Sequence, residues 1–158
     1  MIPDPRICPC GSGALYTECC GPFIARTAAP ANAEQLMRSR YSAYALRHLD
    51  WIEETSTGPA RARFDRTSAT QWAHNATFTG LRILRSIDGG PGDANGLVEF
   101  EATFSEDGQT HSLREASLFS REGGLWHYAG VAPAAKAIGR NAPCPCGSGK
   151  KSKRCCAP

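Results

Sequence analysis

The chain has 158 residues, 41% of them hydrophobic and 21% charged, and a formal net charge of +3, an ordinary balance for a globular protein with one core-bearing domain and small appendages. No segment approaches the roughly 18 consecutive apolar residues that a membrane span requires, and the opening MIPDPRICPC has no apolar run to act as a signal peptide. The expected compartment is the cytoplasm, where clustered cysteines more often bind metal than form disulfides.

Near the start stands CPCGSGALYTECC, which carries Cys8, Cys10, Cys19 and Cys20 as Cys-x-Cys, eight residues, Cys-Cys. Cys144, Cys146, Cys155 and Cys156 repeat that spacing without a residue's change in CPCGSGKKSKRCC. Four thiolates within thirteen residues suit the tetrahedral all-sulfur coordination of a structural zinc ion. Disulfide-stapled ends or free thiols are the plainer alternatives, and sulfur ligation alone does not separate zinc from iron or an iron-sulfur cluster. Pro9 and Pro145 fix the backbone between the first two ligands, while Gly11, Gly13, Gly147 and Gly149 permit close turns. The Cys-Cys pairs must sit in a turn or at a helix end to share one ion, since neighbours on a strand point to opposite faces. A closed four-sulfur site has no open position, so the role expected of two such ions is structural.

Ala- and Pro-rich connections, Pro22 to Pro30 and Pro133 to Asn141, bracket a middle domain. It opens with a predicted helix: Asn32 can cap, Gln35 is placed as a capping-box partner, and Met37, Tyr41, Tyr44 and His48 follow on one face. Short helices are predicted over Asp50 to Thr55 and Ser68 to His74, separated by a Gly58-Pro59 break and a basic stretch with Arg61, Arg63 and Arg66. After Gly80 the period changes to alternation. LRILRSI leads through GGPGDANG to a strand with Val98, Phe100, Ala102 and Phe104 on one face and Glu99, Glu101 and Thr103 on the other. Asp107-Gly108 and Glu122-Gly123-Gly124 mark two further hairpins, around HSLREASLFSRE and before LWHYAGV. Helices followed by an antiparallel meander predict an α+β domain, with a curved sheet packed on the N-terminal helices.

The two cysteine motifs differ in charge. Ala14, Leu15, Tyr16, Thr17 and Glu18 fill the first, whereas Arg140, Lys150, Lys151, Lys153 and Arg154 place five positive charges and no acid around the second. Each loaded four-thiolate site carries about −2, which takes the chain from +3 to about −1 and still leaves a basic rim on the second motif. The GSGKKS core is not a phosphate loop, because Cys144 stands where that loop needs a glycine and no parallel strand precedes it.

IGRNAPCPCGSGKKSKRCC closely resembles the SEC-C motif, the metal-binding tail of the protein-translocation ATPase SecA, with Ser152 where that family usually has an aromatic residue. The resemblance implies that Cys144, Cys146, Cys155 and Cys156 bind zinc. It also implies that Arg140, Asn141, Lys150, Lys151 and Lys153 face a partner such as the export chaperone SecB or the ribosome, with Arg154 completing the basic rim. Nothing elsewhere in the chain resembles an ATPase motor. RSRYSAY, Gly80-Leu81, VEFEATF and SLFSREGGLWHYAG, together with the first motif and CCGPF, are similar to the YchJ family. That similarity implies a middle domain of nuclear-transport-factor-2-like cone fold between SEC-C motifs. The expected architecture is a cone-shaped α+β domain over 31–132, flanked by small zinc knuckles over 1–24 and 139–158.

Such cones often enclose a pocket between helix and sheet. Glu115 is the candidate polar residue in it, with Tyr41, Tyr44, Phe119, Trp126 and Tyr128 as candidate lining. An inward Glu115 needs a partner such as Arg38, Arg40 or a tyrosine hydroxyl. A buried structural pair explains such a carboxylate as readily as general-base catalysis does. His48, His74, His111 and His127 are scattered without metal-pair spacing, and Trp51 and Trp72 receive no role. Two functions follow from these readings. One is a non-enzymatic adaptor whose basic knuckle docks on an acidic partner, an export chaperone, the ribosome or its RNA, while the cone binds a client. The other is a ligand-binding protein or enzyme that uses the pocket around Glu115. Salt-sensitive binding through the lysines distinguishes the first; a deep pocket at Glu115 distinguishes the second.

Overall fold

The computed structural model describes residues 5–133, 141, 143, 148–151 and 154. A 3₁₀ turn at Tyr16–Glu18 leads into five helices, α1 (Gly21–Ile24), α2 (Ala33–Leu46), α3 (Leu49–Glu54), α4 (Gly58–Ala62) and α5 (Arg66–Asn75). Four strands follow, β1 (Thr77–Asp88), β2 (Asn95–Glu106), β3 (Gln109–Glu122) and β4 (Leu125–Val131), paired antiparallel in the order β1-β2-β3-β4. The chain is α+β, as its pattern of helices and then strands predicts.

Helix α2 organises the core. Its Asn32 side chain accepts the Gln35 amide at 2.8 Å, and the Gln35 side chain reaches back to the amide of Ala31, one residue short of the usual capping-box partner. Leu36, Met37, Tyr41 and Ala43 are buried, and so are Ser39, Arg40 and Ser42, because the sheet, α1 and α3 together cover more than one face of the helix. The polar members are satisfied: Ser39 donates to the Leu36 carbonyl and accepts the Trp51 indole N–H at 2.9 Å. His48 does not extend the aromatic face of α2. Arg47 turns into the left-handed region at φ 65°, its amide and that of His48 cap the last carbonyls, and His48 becomes the exposed residue before α3. Pro59 does not interrupt structure either, since it occupies the first turn of α4, where its missing N–H costs nothing.

Alternation in β2 is as read: Val98, Phe100 and Ala102 are buried against the helices, while Glu99 and Glu101 meet Arg85, Arg114 and Arg82 on the outer face. Asp107-Gly108 and Gly123-Gly124 have positive φ at both central positions, the two-residue turn whose twist matches paired strands. Register shifts between Phe78 and Gly80, between Ile83 and Arg85, and between Leu118 and Phe119 bend the sheet around α2. The edge at β4 is closed by the α3–α4 connection, through Thr57 N–H to Tyr128 O at 2.9 Å and Tyr128 N–H to Thr55 O at 2.6 Å. At the start of β2, a Cβ on Gly96 would lie 2.6 Å from the Cα of Gly89, so the β1–β2 loop closes on bare backbone.

Candidate metal centre and interior cavity

The N-terminal cysteine motif folds as a small loop closed by an Ile7–Leu15 bridge and by Cys8 N–H to Ala14 O at 2.8 Å. Gly11 and Gly13 adopt φ of 77° and 78°, which turns the chain back on itself. The 3₁₀ turn then returns it, so that Cys19 closes that turn and Cys20 precedes α1, the helix-end placement that adjacent ligands need. The four sulfurs lie within 4.8 Å of one another, with Cys10 Sγ 3.6 Å from Cys19 Sγ and Cys19 Sγ 3.8 Å from Cys20 Sγ. A tetrahedral ion with metal–sulfur bonds of about 2.3 Å has sulfur–sulfur edges of about 3.8 Å, so the donor set fits a four-sulfur metal site. Among the described residues this is the one such cluster, and no histidine joins it.

The cluster is not an appendage. Cys8, Cys10 and Cys20 are buried with Ile24 in the same core as Leu36 and Tyr41. The Ser42 hydroxyl of α2 lies 3.5 Å from Cys8 Sγ, and Arg38 donates to the Cys10 carbonyl at 2.9 Å while pairing with Glu34. A Cβ on Gly11 would sit 3.0 Å from the Leu81 carbonyl, so the loop also abuts β1. Cys8 is held far below the usual thiol range by hydrogen bonds from the Cys10 and Cys20 thiols, aided by Ser42 and opposed by burial. Cys20 is driven well above that range by hydrogen bonding to Cys10 and Cys8 and by burial, and Cys19 is raised first by burial. The four sulfurs share negative charge as a group, and several thiolates this close call for a cation. Arg38 is positioned to offset that charge: burial lowers its pKa, but Glu34 and Cys10 more than restore it.

In the C-terminal motif, Cys144, Cys146, Cys155, Cys156, Arg140 and Lys153 lie outside the described residues. The described ones repeat the first motif's backbone. A Pro143–Lys151 bridge matches Ile7–Leu15, and Gly149 at φ 74° matches Gly13. Lys150 N–H reaches Ser148 Oγ at 3.3 Å as Ala14 N–H reaches Ser12 Oγ at 3.2 Å. Arg154 N–H reaches Lys151 O at 2.9 Å as Glu18 N–H reaches Leu15 O at 3.0 Å. Asn141, Lys150, Lys151 and Arg154 are exposed.

Residues 32–130 match the family model of the YchJ middle domain, described as nuclear-transport-factor-2-like, and residues 7–22 and 140–158 match the SEC-C motif. The chain belongs to the YchJ family. A UPF0225 protein of Geobacter sulfurreducens is 40% identical over 157 residues, covering 96% of this chain and 98% of that one. Another, of Actinobacillus succinogenes, is 39% identical over 150 residues, covering 95% and 96%. Among solved structures, a SEC-C motif containing protein from Rhodopseudomonas palustris superposes with a TM-score of 0.73 at 40% identity, covering 81% of this chain and 98% of that one. A SEC-C motif containing protein from Psychrobacter arcticus gives 0.69 at 27% identity, covering 99% and 98%.

The YchJ middle domain holds a partly open cavity of about 170 Å³ between α2, α5 and the inner face of the sheet. Tyr41, Tyr44, Glu115 and Tyr128 line it; Phe119 and Trp126 do not. Phe119 is packed solid opposite a bulge in β4, and Trp126 packs against Arg121 at 5.1 Å and donates its indole N–H to the Ala31 carbonyl. Glu115 points inward on the Leu113–Ser117 face, where its Oε1 accepts Ser117 Oγ at 2.8 Å and Tyr128 OH at 3.4 Å. Arg38 is committed to the cysteine loop, whereas Arg40 is 7% exposed, lines the cavity and lies over the Tyr128 ring at 4.4 Å. Burial lowers the Arg40 pKa against the support of Tyr44, Tyr128 and Glu115, and burial with the nearby Glu115 charge pushes Tyr128 up to about 12. Trp72, unassigned from sequence, forms the far wall with Phe78, their rings 5.0 Å apart. The signal for it is the Ala69, Trp72, Ala73 stripe at helical spacing on α5, continued by Ala76 at its C-cap. Among the described residues no helix is long and apolar enough to cross a membrane.

Proposed function

We propose that this chain is a cytoplasmic, non-enzymatic zinc adaptor in three parts, a knuckle over 1–24, the domain over 31–132 and a second knuckle over 139–158. Cys8, Cys10, Cys19 and Cys20 hold one structural zinc ion and Cys144, Cys146, Cys155 and Cys156 a second. Bound there, the metal has no open position and supplies only cross-linking of its loop. The basic knuckle docks on an acidic partner surface through Arg140, Asn141, Lys150, Lys151, Lys153 and Arg154, and the middle domain engages a client or second partner.

One observation carries the reading: two loops with the same cysteine spacing, and matching backbone at the described positions, expose different chemistry. Where the first loop has Ala14, Leu15 and Glu18 and packs its sulfurs into the domain, the second has exposed Lys150, Lys151 and Arg154. Clustered cations with no acid beside them give attraction to an anionic surface and a strong dependence on salt. The test is co-sedimentation with ribosomes, and titration into a purified SecB-type chaperone, of the zinc-loaded protein and a Lys150/Lys151/Lys153→Glu variant. The parent should bind one of the two, more weakly as salt rises, and the variant should lose about tenfold or more in affinity with its fold intact. Equal binding by parent and variant, or binding indifferent to salt, removes the adaptor role from the knuckle.

A further inference from the structure

We propose that the cavity of the middle domain is a binding site for a small uncharged molecule of one ring that carries a hydrogen-bond donor and an acceptor at one end, an aromatic carboxamide being the simplest case. The proposal does not depend on the role of the knuckles.

Size sets the first limit. About 170 Å³ is close to the roughly 150 Å³ of an apolar cavity that takes up benzene, so a single ring fits and a nucleotide or peptide does not. The far end is aromatic: Trp72 meets Phe78 edge-on at 5.0 Å, Tyr41 meets Phe78 at 5.6 Å, and Phe100 and Met37 complete the wall. Such a box offers both ring faces and ring edges to a planar guest.

The near end sets the chemistry. Among the described residues, Arg40's hydrogen bonds all leave from Nη1, to the Ile52 carbonyl at 2.9 Å, Thr55 Oγ1 at 2.7 Å and Ser56 Oγ at 3.2 Å. Among the described residues no carboxylate lies within ion-pair distance of it, and its charge is met by dipoles and by the Tyr128 ring. Among the described residues both bonds to Glu115, a lining residue of the cavity, end on Oε1 and none on Oε2. The cavity therefore offers a guanidinium donor and a carboxylate acceptor of opposite charge. An anionic guest gains from Arg40 and is repelled by Glu115; a cationic guest meets the reverse. A neutral molecule with a carbonyl for Arg40 and an N–H for Glu115 satisfies both, and a purely apolar guest leaves both unmet in a poorly solvated space.

The experiment is amide-resolved NMR titration of the full chain, metal-loaded, with benzamide, benzoate, benzylamine and toluene. Benzamide should bind at least tenfold more tightly than the other three and shift amides around Tyr44, Glu115 and Tyr128. Glu115→Gln should reverse the order of the first two by relieving the repulsion of benzoate beside Arg40. Leu113→Trp, which fills the cavity wall from a half-exposed strand position, should abolish benzamide binding while the remaining spectrum stays native. Benzoate or benzylamine binding most tightly to the parent, toluene matching benzamide, or no saturable shift with any probe overturns the proposal, as does unchanged benzamide binding in Leu113→Trp.

Discussion

Replacing Cys20 by serine tests whether the N-terminal metal site is part of the fold's core or an ornament on it. Seating the loop leaves Cys8, Cys10, Cys20 and Ile24 at 2%, 0%, 1% and 5% exposure. Burial of an isoleucine contributes about 2–3 kcal/mol and each small thiol side chain about 1 kcal/mol, so an unseated loop forfeits about 5 kcal/mol. That is a large share of the 5–15 kcal/mol that typically holds a domain of about this size together. At about 2–4 °C per kcal/mol, Tm in a circular-dichroism melt should fall by about 10–20 °C, and a strong chelator should produce a similar loss in the parent. Cys156→Ser, in the motif whose described cations are exposed, should move the same transition by no more than about 2 °C. Equal small shifts in the two variants would refute the assignment of the first loop to the core.

Three further substitutions probe single features. Gly96→Ala forces a Cβ to within 2.6 Å of the Gly89 Cα and should cost about 1–3 kcal/mol in denaturant unfolding, whereas Gly92→Ala, with nothing within 4 Å, should not. Asn32→Ala removes the bond to the Gln35 amide at the start of α2 and should cost about 1 kcal/mol in the same assay, with Asn32→Asp restoring most of it. Trp51→Phe breaks the buried indole bond to Ser39 Oγ and should lower stability by about 1–3 kcal/mol without loss of metal, measured by elemental analysis.

Local pattern was the most legible part of this chain. The alternation in VEFEATF, the Asp-Gly and Gly-Gly turns and the Asn32 cap each depend on a few neighbouring residues, and each stands where it was read. The helix ending at Arg47 was not legible, because a left-handed arginine carries none of the composition of a glycine cap. The start of α4 was hidden by the opposite effect, a Gly-Pro pair that signals a break in most settings and opens a helix here. Trp72 is hard to place from sequence because its neighbours on the apolar stripe are alanines, which mark a helical face weakly.

Sequence alone determined that two identically spaced cysteine loops exist, that one is basic and the other is not, and that helices precede an antiparallel meander. These are properties of spacing, charge and period, which the chain carries at every point along its length. Packing in three dimensions sets the first loop against Ser42 and Arg38 of α2, and gives Glu115 Ser117 and Tyr128 as direct partners and not an arginine. Only there do Arg40 from α2, Trp72 from α5 and Glu115 from β3 come to share one cavity. A periodic pattern says which face of an element is buried; what that face meets is set by packing between segments far apart in the chain, where the free energy of burial is gained.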